Sequence, residues 1–222
     1  MNIQALLIAL FETLGMTLIG TILAYVIGFP LGVILNVTSK NGIKPNKYIN
    51  TILGTIVNIM RSIPCVLLIV VLLPLTRLIL GKSSGEWYVM IIPIFVAAFG
   101  FVSRLVEGSL NEVDGGVIEA AKSMGASTFQ IITKVLLPET RASLISGLAV
   151  TLVSILGYTS FAYNIGAGGL IAGIWKFYSK NTGDYLSEPF FWIMIVIVIL
   201  IVQGIQELGL LISKKIDKRR IL

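Results

Sequence analysis

The chain contains no histidine and a single cysteine, Cys65. The first absence removes the usual zinc ligand sets and every histidine-based catalytic triad. The second excludes an intrachain disulfide and leaves Cys65 to be read as a small apolar packing residue. Charge is also scarce: 13% of the 222 residues are charged, 56% are hydrophobic, and the mean hydropathy is +0.94. A soluble domain carries about 25% charged residues. No GxxxxGK[ST] loop is present to cradle nucleotide phosphates; Gly81-Lys82-Ser83 has the right ending, but Thr76 stands where the upstream glycine is needed. No Asp, Glu or Lys is expected deep within a span, so a proton relay or a fixed counter-ion is hard to build.

What the sequence does have is long apolar runs. Five are long enough to cross a hydrocarbon core of roughly 30 Å: Leu14–Val37, Ile63–Leu80, Trp87–Ser103, Leu144–Ile165 and Pro189–Ile212. The first basic residue, Lys40, follows the first run, so that run reads as a retained span rather than a signal peptide. Gly28-Phe29-Pro30 lies inside it and predicts a kink. The expected fold is an all-α integral membrane protein forming one domain over residues 1–222.

Basic residues set the orientation. Of 17, 13 fall on one side: Lys40, Lys44, Lys47, Arg61, Arg104, Lys122, Lys134, Arg141, Lys214, Lys215, Lys218, Arg219 and Arg220. Arg77, Lys82, Lys176 and Lys180 fall on the other. The richer side is cytoplasmic, placing the N-terminus outside and the C-terminus inside. The KKIDKRR tail then reads as an anchor for the last helix, and the net charge of +6 requires no nucleic-acid partner. Trp87, Tyr88, Tyr178, Tyr185 and Trp192 lie near the expected outer interface, where amphipathic rings settle among the lipids.

One polar segment interrupts the apolar pattern, EAAKSMGASTFQIITKVLLPE, within a coupling segment of about residues 114–138. Asp114 is placed to cap a helix starting at Gly115 or Gly116. Val117, Ala120, Ala121 and Met124 follow at i, i+3, i+4 and i+7, a narrow apolar face of mostly small residues. Gly125 is a candidate C′ residue. Ser127 and Gln130 fit a capping box for a second helix carrying Phe129, Ile131, Ile132 and Val135. Pro138 marks a stop or a sharp bend. On these patterns alone, the segment is either a docking surface with Met124 and Phe129 as knobs, or an amphipathic connector lying on lipid.

Glu119-Ala120-Ala121, Gly125 and Leu137-Pro138 resemble the EAA motif of binding-protein-dependent ABC importer permeases. The family pattern is EAA, three residues, Gly, nine residues, Ile, one residue, Leu-Pro; Val135 fills the Ile position here. Asn58-Ile59-Met60-Arg61-Ser62-Ile63-Pro64, Leu73-Pro74-Leu75-Thr76-Arg77, Gly157-Tyr158 and Gly166-Ala167-Gly168-Gly169-Leu170 resemble the methionine-importer branch. The resemblance implies a cytoplasmic coupling-helix pair between spans three and four. Glu119, Ala120, Ala121, Met124, Gly125 and Phe129 would then meet an ATP-binding subunit. It also implies a homodimer with two such subunits, which would hold ATP and magnesium, while this chain binds no cofactor and is no enzyme. An extracytoplasmic binding protein or lipoprotein would deliver substrate at a bacterial cytoplasmic membrane.

The same resemblance places the pathway along span four, the most polar span, with Ser154, Tyr158, Thr159, Ser160 and Phe161 lining it and Phe161 near an apolar gate. The alternative for each hydroxyl is a bond within the helix packing. Arg61 either snorkels at the inner mouth or contacts a partner or a substrate carboxylate. L- or D-methionine or a close derivative is the expected substrate, with another amino acid or a small peptide as the alternative. An ion-coupled secondary transporter is a more distant one, since neither inverted repeats nor intramembrane ion pairs are evident. An intramembrane enzyme would lack its catalytic groups.

Overall fold

The computed structural model describes residues 3–180 and 185–217, and their regular structure is entirely helical. In chain order the helices are α1 (Ile3–Thr38), α2 (Lys47–Ser62), α3 (Cys65–Leu80), α4 (Ile91–Leu110), α5 (Gly115–Ser123), α6 (Thr128–Ile131), α7 (Leu137–Tyr158), α8 (Leu170–Lys180) and α9 (Pro189–Ile216). Four helical stretches are long and apolar enough to cross a membrane, Ile3–Thr38, Trp87–Leu110, Thr128–Ile165 and Pro189–Ile216, and the count is five when the bent pair α2–α3 is taken as one broken span. Lys218, Arg219 and Arg220 of the basic tail, and the side chains of Lys180 and Tyr185, lie outside what is described.

α4 is the central post, touching α1, α2, α3 and α7. Its closest neighbour is α1, whose buried Gly20, Ala24, Gly28 and Gly32 recur every fourth residue. This is the small-xxx-small spacing that lets two backbones approach within a bilayer. A Cβ on Gly28 would lie 2.7 Å from the Phe99 carbonyl oxygen, and one on Gly32 would lie 2.5 Å from that of Ser103. Gly28 therefore serves as packing surface. α1 runs unbroken through Pro30 for 36 residues, about 54 Å, and so begins well before the expected Leu14. On its buried face Thr13, Thr17 and Thr21 satisfy their hydroxyls by donating to the carbonyls of Ala9, Thr13 and Thr17.

The second span departs from expectation. α3 has 16 residues, about 24 Å at 1.5 Å per residue, and it is bent by 104° from α2. The break is local in origin. Ile63 precedes Pro64 and adopts an extended conformation, φ −83° and ψ 121°, as the proline ring's clash with the preceding residue demands. α2 packs on α4 through Gly54 and Val57 while Tyr48, Ile52, Ile56 and Ile59 remain exposed. The stem of Arg61 passes over Gly100 of α4, and the residue itself stays exposed. At the other end of α3, Gly81 takes φ +74° and its N–H donates to the Arg77 carbonyl. Gly81-Lys82-Ser83 is therefore a helix-ending turn, closed by an exposed Lys82–Glu86 pair at 3.1 Å.

Candidate functional site

The α5–α6 corner is built from local capping. Asp114 Oδ1 accepts from Gly116 N–H at 2.7 Å, satisfying an orphan donor at the start of α5. Gly125, at φ +79°, ends α5 in a Schellman motif: its N–H donates to Lys122 O at 2.9 Å and Ala126 N–H to Ala121 O at 3.1 Å. Ser127 then opens α6 with both bonds of a capping box, Ser127 N–H to Gln130 Oε1 at 2.8 Å and Gln130 N–H to Ser127 Oγ at 3.3 Å.

The corner has an inner and an outer side. Val113, Ala121, Ile131 and Leu136 are buried in the core, with Ile118 packed against it. Glu119, Ala120 and Gly125 are exposed, as are Met124 at 82% and Phe129 at 73%. Ala121 faces inward. Of the apolar residues expected to share one face, Val117, Ala120 and Met124 project outward, while Ala121 pins α5 to the bundle.

Pro138 does not stop the helix. Residues Ile132–Leu136 form a π-turn between α6 and α7, and Leu137 N–H reaches back to Ile132 O. Proline lacks an N–H and its ring crowds the carbonyl four residues earlier; the wider π-turn removes that conflict. The result is one continuous helical stretch, Thr128–Ile165, joining the exposed corner directly to span four. Its base is tied to α4 by a relay in which Ser143 Oγ donates to Glu112 Oε1 at 2.7 Å. Having spent its proton there, Ser143 accepts from Ser109 Oγ at 2.9 Å.

Along span four the hydroxyls bond to their own helix. Thr151, Ser154, Thr159 and Ser160 donate to the carbonyls of Gly147, Val150, Leu156 and Gly157. Each keeps free lone pairs. Thr159 is buried and Tyr158 packs against the core, as does one side of Phe161. Val150, Ser154 and Gly157 follow at i, i+4 and i+7 on α7, and each is exposed or partly so; beyond Tyr158 the span tightens into a 3-10 turn, Thr159–Ile165, in which Ser160, Phe161 and Asn164 are also exposed or partly so. A Cβ on Gly157 would meet nothing within 4 Å. A stripe carrying Ser and Gly on a membrane helix is suited to a cavity or a partner helix.

This stripe continues onto α9, which lies against α7 with Gly209 packed on Ala149. Gln206 and Glu207 of α9 line a cavity of about 260 Å³ together with Ser146 and Val150 of α7. No acid was expected deep in a span; Glu207 lies inside both Pro189–Ile212 and α9, toward their C-terminal ends. Its signal was in the sequence, as the lone acid within the last apolar run. Among the described residues no group of three or more His, Cys, Asp or Glu is arranged to hold a metal ion.

Residues 28–217 match the model of the binding-protein-dependent transport system inner membrane component family. The chain belongs to that family. Within it, the chain is 40% identical over 208 residues to the probable D-methionine transport system permease protein MetI of Pasteurella multocida, covering 94% of each. It is 42% identical over 188 residues to the methionine import system permease protein MetP of Bacillus subtilis, covering 84% of this chain and 82% of that one. A solved structure of inward-facing MetNI methionine ABC transporter superimposes with a TM-score of 0.88 at 34% identity, covering 96% of this chain and 97% of that one. The family is one of membrane permeases, and the multi-pass helical fold found here is the family's own.

Proposed function

We propose that this chain is the permease subunit of an ATP-driven methionine importer, acting as a homodimer with two ATP-binding subunits and an extracytoplasmic binding protein. ATP and magnesium belong to the partner subunits in this reading, and the N-terminus lies outside. The observation that carries it is mechanical: α6, the second arm of the exposed corner, continues into span four as one helical stretch, Thr128–Ile165, with α5 hinged to it at Gly125. Force applied at Glu119, Ala120, Met124, Gly125 and Phe129 by a closing ATPase would move that span as a lever. Ala121 would act from within, by holding the corner to the core. Ser154, Ser160 and Phe161 would face the pathway, and Tyr158 and Thr159 would shape it from behind. The near-full-length similarity to methionine permeases supports the substrate, which could be either stereoisomer or a close derivative.

Reconstitution in liposomes with its ATPase and binding protein tests the proposal. Uptake of radiolabelled methionine should require ATP inside the compartment that exposes the α5–α6 corner. Uptake by the permease alone, driven by an ion gradient, would overturn it in favour of secondary transport.

A further inference from the structure

Between Glu12 and Glu86 the sequence contains no acidic residue, and the turn joining α1 to α2 carries Lys40, Lys44 and Lys47. That turn is firmly built. Lys44 N–H donates to Val37 O and Asn46 N–H to Thr38 O, each at 3.0 Å. Asn46 Oδ1 caps α2 by accepting from Ile49 N–H at 3.1 Å. Asn50 Nδ2 reaches back to α1, donating to Leu35 O at 2.8 Å and to Thr38 Oγ1 at 3.2 Å. These bonds shape a cavity of about 640 Å³ bordered by Thr38, Lys40, Asn46, Lys47, Asn50 and Thr51. No carboxylate lines it, and neither lysine has an ion-pair partner among the described residues.

Its surroundings fix the depth. The cavity sits at the end of a membrane-spanning helix, and α2, which starts at Lys47, exposes Tyr48, Ile52, Ile56 and Ile59. An amphipathic helix of this kind lies where headgroups meet acyl chains. Basic pockets at that level attract anionic lipid, each Lys contributing about 1 kcal/mol. We infer that this cavity binds the phosphate-bearing headgroup of an anionic phospholipid, with Lys40 and Lys47 as counter-charges and the Thr51 hydroxyl as a hydrogen-bond donor. Lys40 also borders a second cavity, shared with Val113, Gly115 and Ile118 at the start of the α5–α6 corner. A bound lipid therefore steadies the turn beside the corner. The site requires the chain to lie in a membrane and is independent of what is transported.

Native mass spectrometry on the full chain in neutral detergent, titrated with phosphatidylglycerol or phosphatidylcholine, tests this. Phosphatidylglycerol should bind preferentially. Lys40→Gln and Lys47→Gln should each weaken it about fivefold, while Lys40→Arg and Lys47→Arg retain it with helix content unchanged by circular dichroism. Lys44→Gln removes the same charge from the same turn but outside the cavity lining, and should leave binding unaltered. Equal loss with Lys44→Gln would reduce the effect to diffuse charge and overturn the site. So would equal binding of phosphatidylcholine, or inorganic phosphate alone binding as tightly as phosphatidylglycerol, which would make this a site for the free anion.

Discussion

Asn58 of α2 and Arg104 of α4 are locked side chain to side chain: Asn58 Oδ1 accepts from Arg104 Nε at 3.2 Å and from Nη2 at 2.8 Å. The same guanidinium donates to Gly54 O at 3.2 Å and to Glu107 Oε2 at 2.6 Å. Because the chain turns sharply at Ile63-Pro64, α2 gains little positional support from α3, and this clasp holds it on α4. Planar donors in a fixed fork serve all these acceptors at once, which an ammonium cannot do.

Asn58→Leu and Arg104→Lys should therefore each lower stability by about 1–2 kcal/mol, the range for hydrogen bonds to a charged group that is partly exposed. Thermal unfolding in detergent measures it. The pair's coupling follows from the double variant, whose loss should fall short of the sum.

The glycines separate into two kinds. Gly32→Ala places a methyl 2.5 Å from a backbone oxygen on α4, and overpacking of that sort costs about 1–3 kcal/mol. Gly108→Ala, also helical, meets nothing within 4 Å, and should be neutral or stabilising by up to about 1 kcal/mol from helix propensity. Melting temperatures of the two variants should move in opposite directions, or the Gly108 variant should not move.

The caps of the α5–α6 corner were legible in the sequence because they are local: Asp114, Gly125, Ser127 and Gln130 act within four residues of what they cap. The spacing of Gly20, Ala24, Gly28 and Gly32 was equally visible as a packing face, beside the kink expected at Pro30. At Pro138 the expected stop is absent, since a π-turn that absorbs a proline leaves no mark in composition. The inward turn of Ala121 depends on where the core lies. The Arg104–Asn58 clasp joins residues 46 apart, and nothing in either local pattern specifies the other. Glu207 was readable and overlooked.

Glu12 reaches further still. Its Oε2 accepts from Gly169 N–H at 2.7 Å, and the neighbouring Thr13 Oγ1 accepts from Leu170 N–H at 2.8 Å. Residues of α1 thus cap α8, replacing a local N-cap with a tertiary one. Glu12→Ala should cost about 1 kcal/mol at this end, with hydrogen exchange of the first turn of α8 accelerated several-fold. Exchange in α4 should stay unchanged; acceleration there would mean that Glu12 supports the whole bundle instead.

The sharpest consequences fall on the corner. Gly125 has φ +79° and its N–H closes the Schellman turn, so Gly125→Pro violates both requirements: proline holds φ near −65° and has no N–H. Glu119→Lys alters only an exposed charge and leaves every cap in place. Both variants should insert and fold their spans, since the affected bonds lie outside the α1–α4 packing. In liposomes with the ATPase and binding protein, both should lose most methionine uptake. ATP hydrolysis should continue in each, so the ratio of methionine transported to ATP hydrolysed falls at least tenfold. Glu119→Gln, which keeps the shape and removes the charge, separates charge pairing from packing: partial uptake marks a hydrogen-bonded contact, and full loss marks an ion pair. Wild-type uptake ratios in both Gly125→Pro and Glu119→Lys would show that the corner does not carry the ATPase's motion into span four.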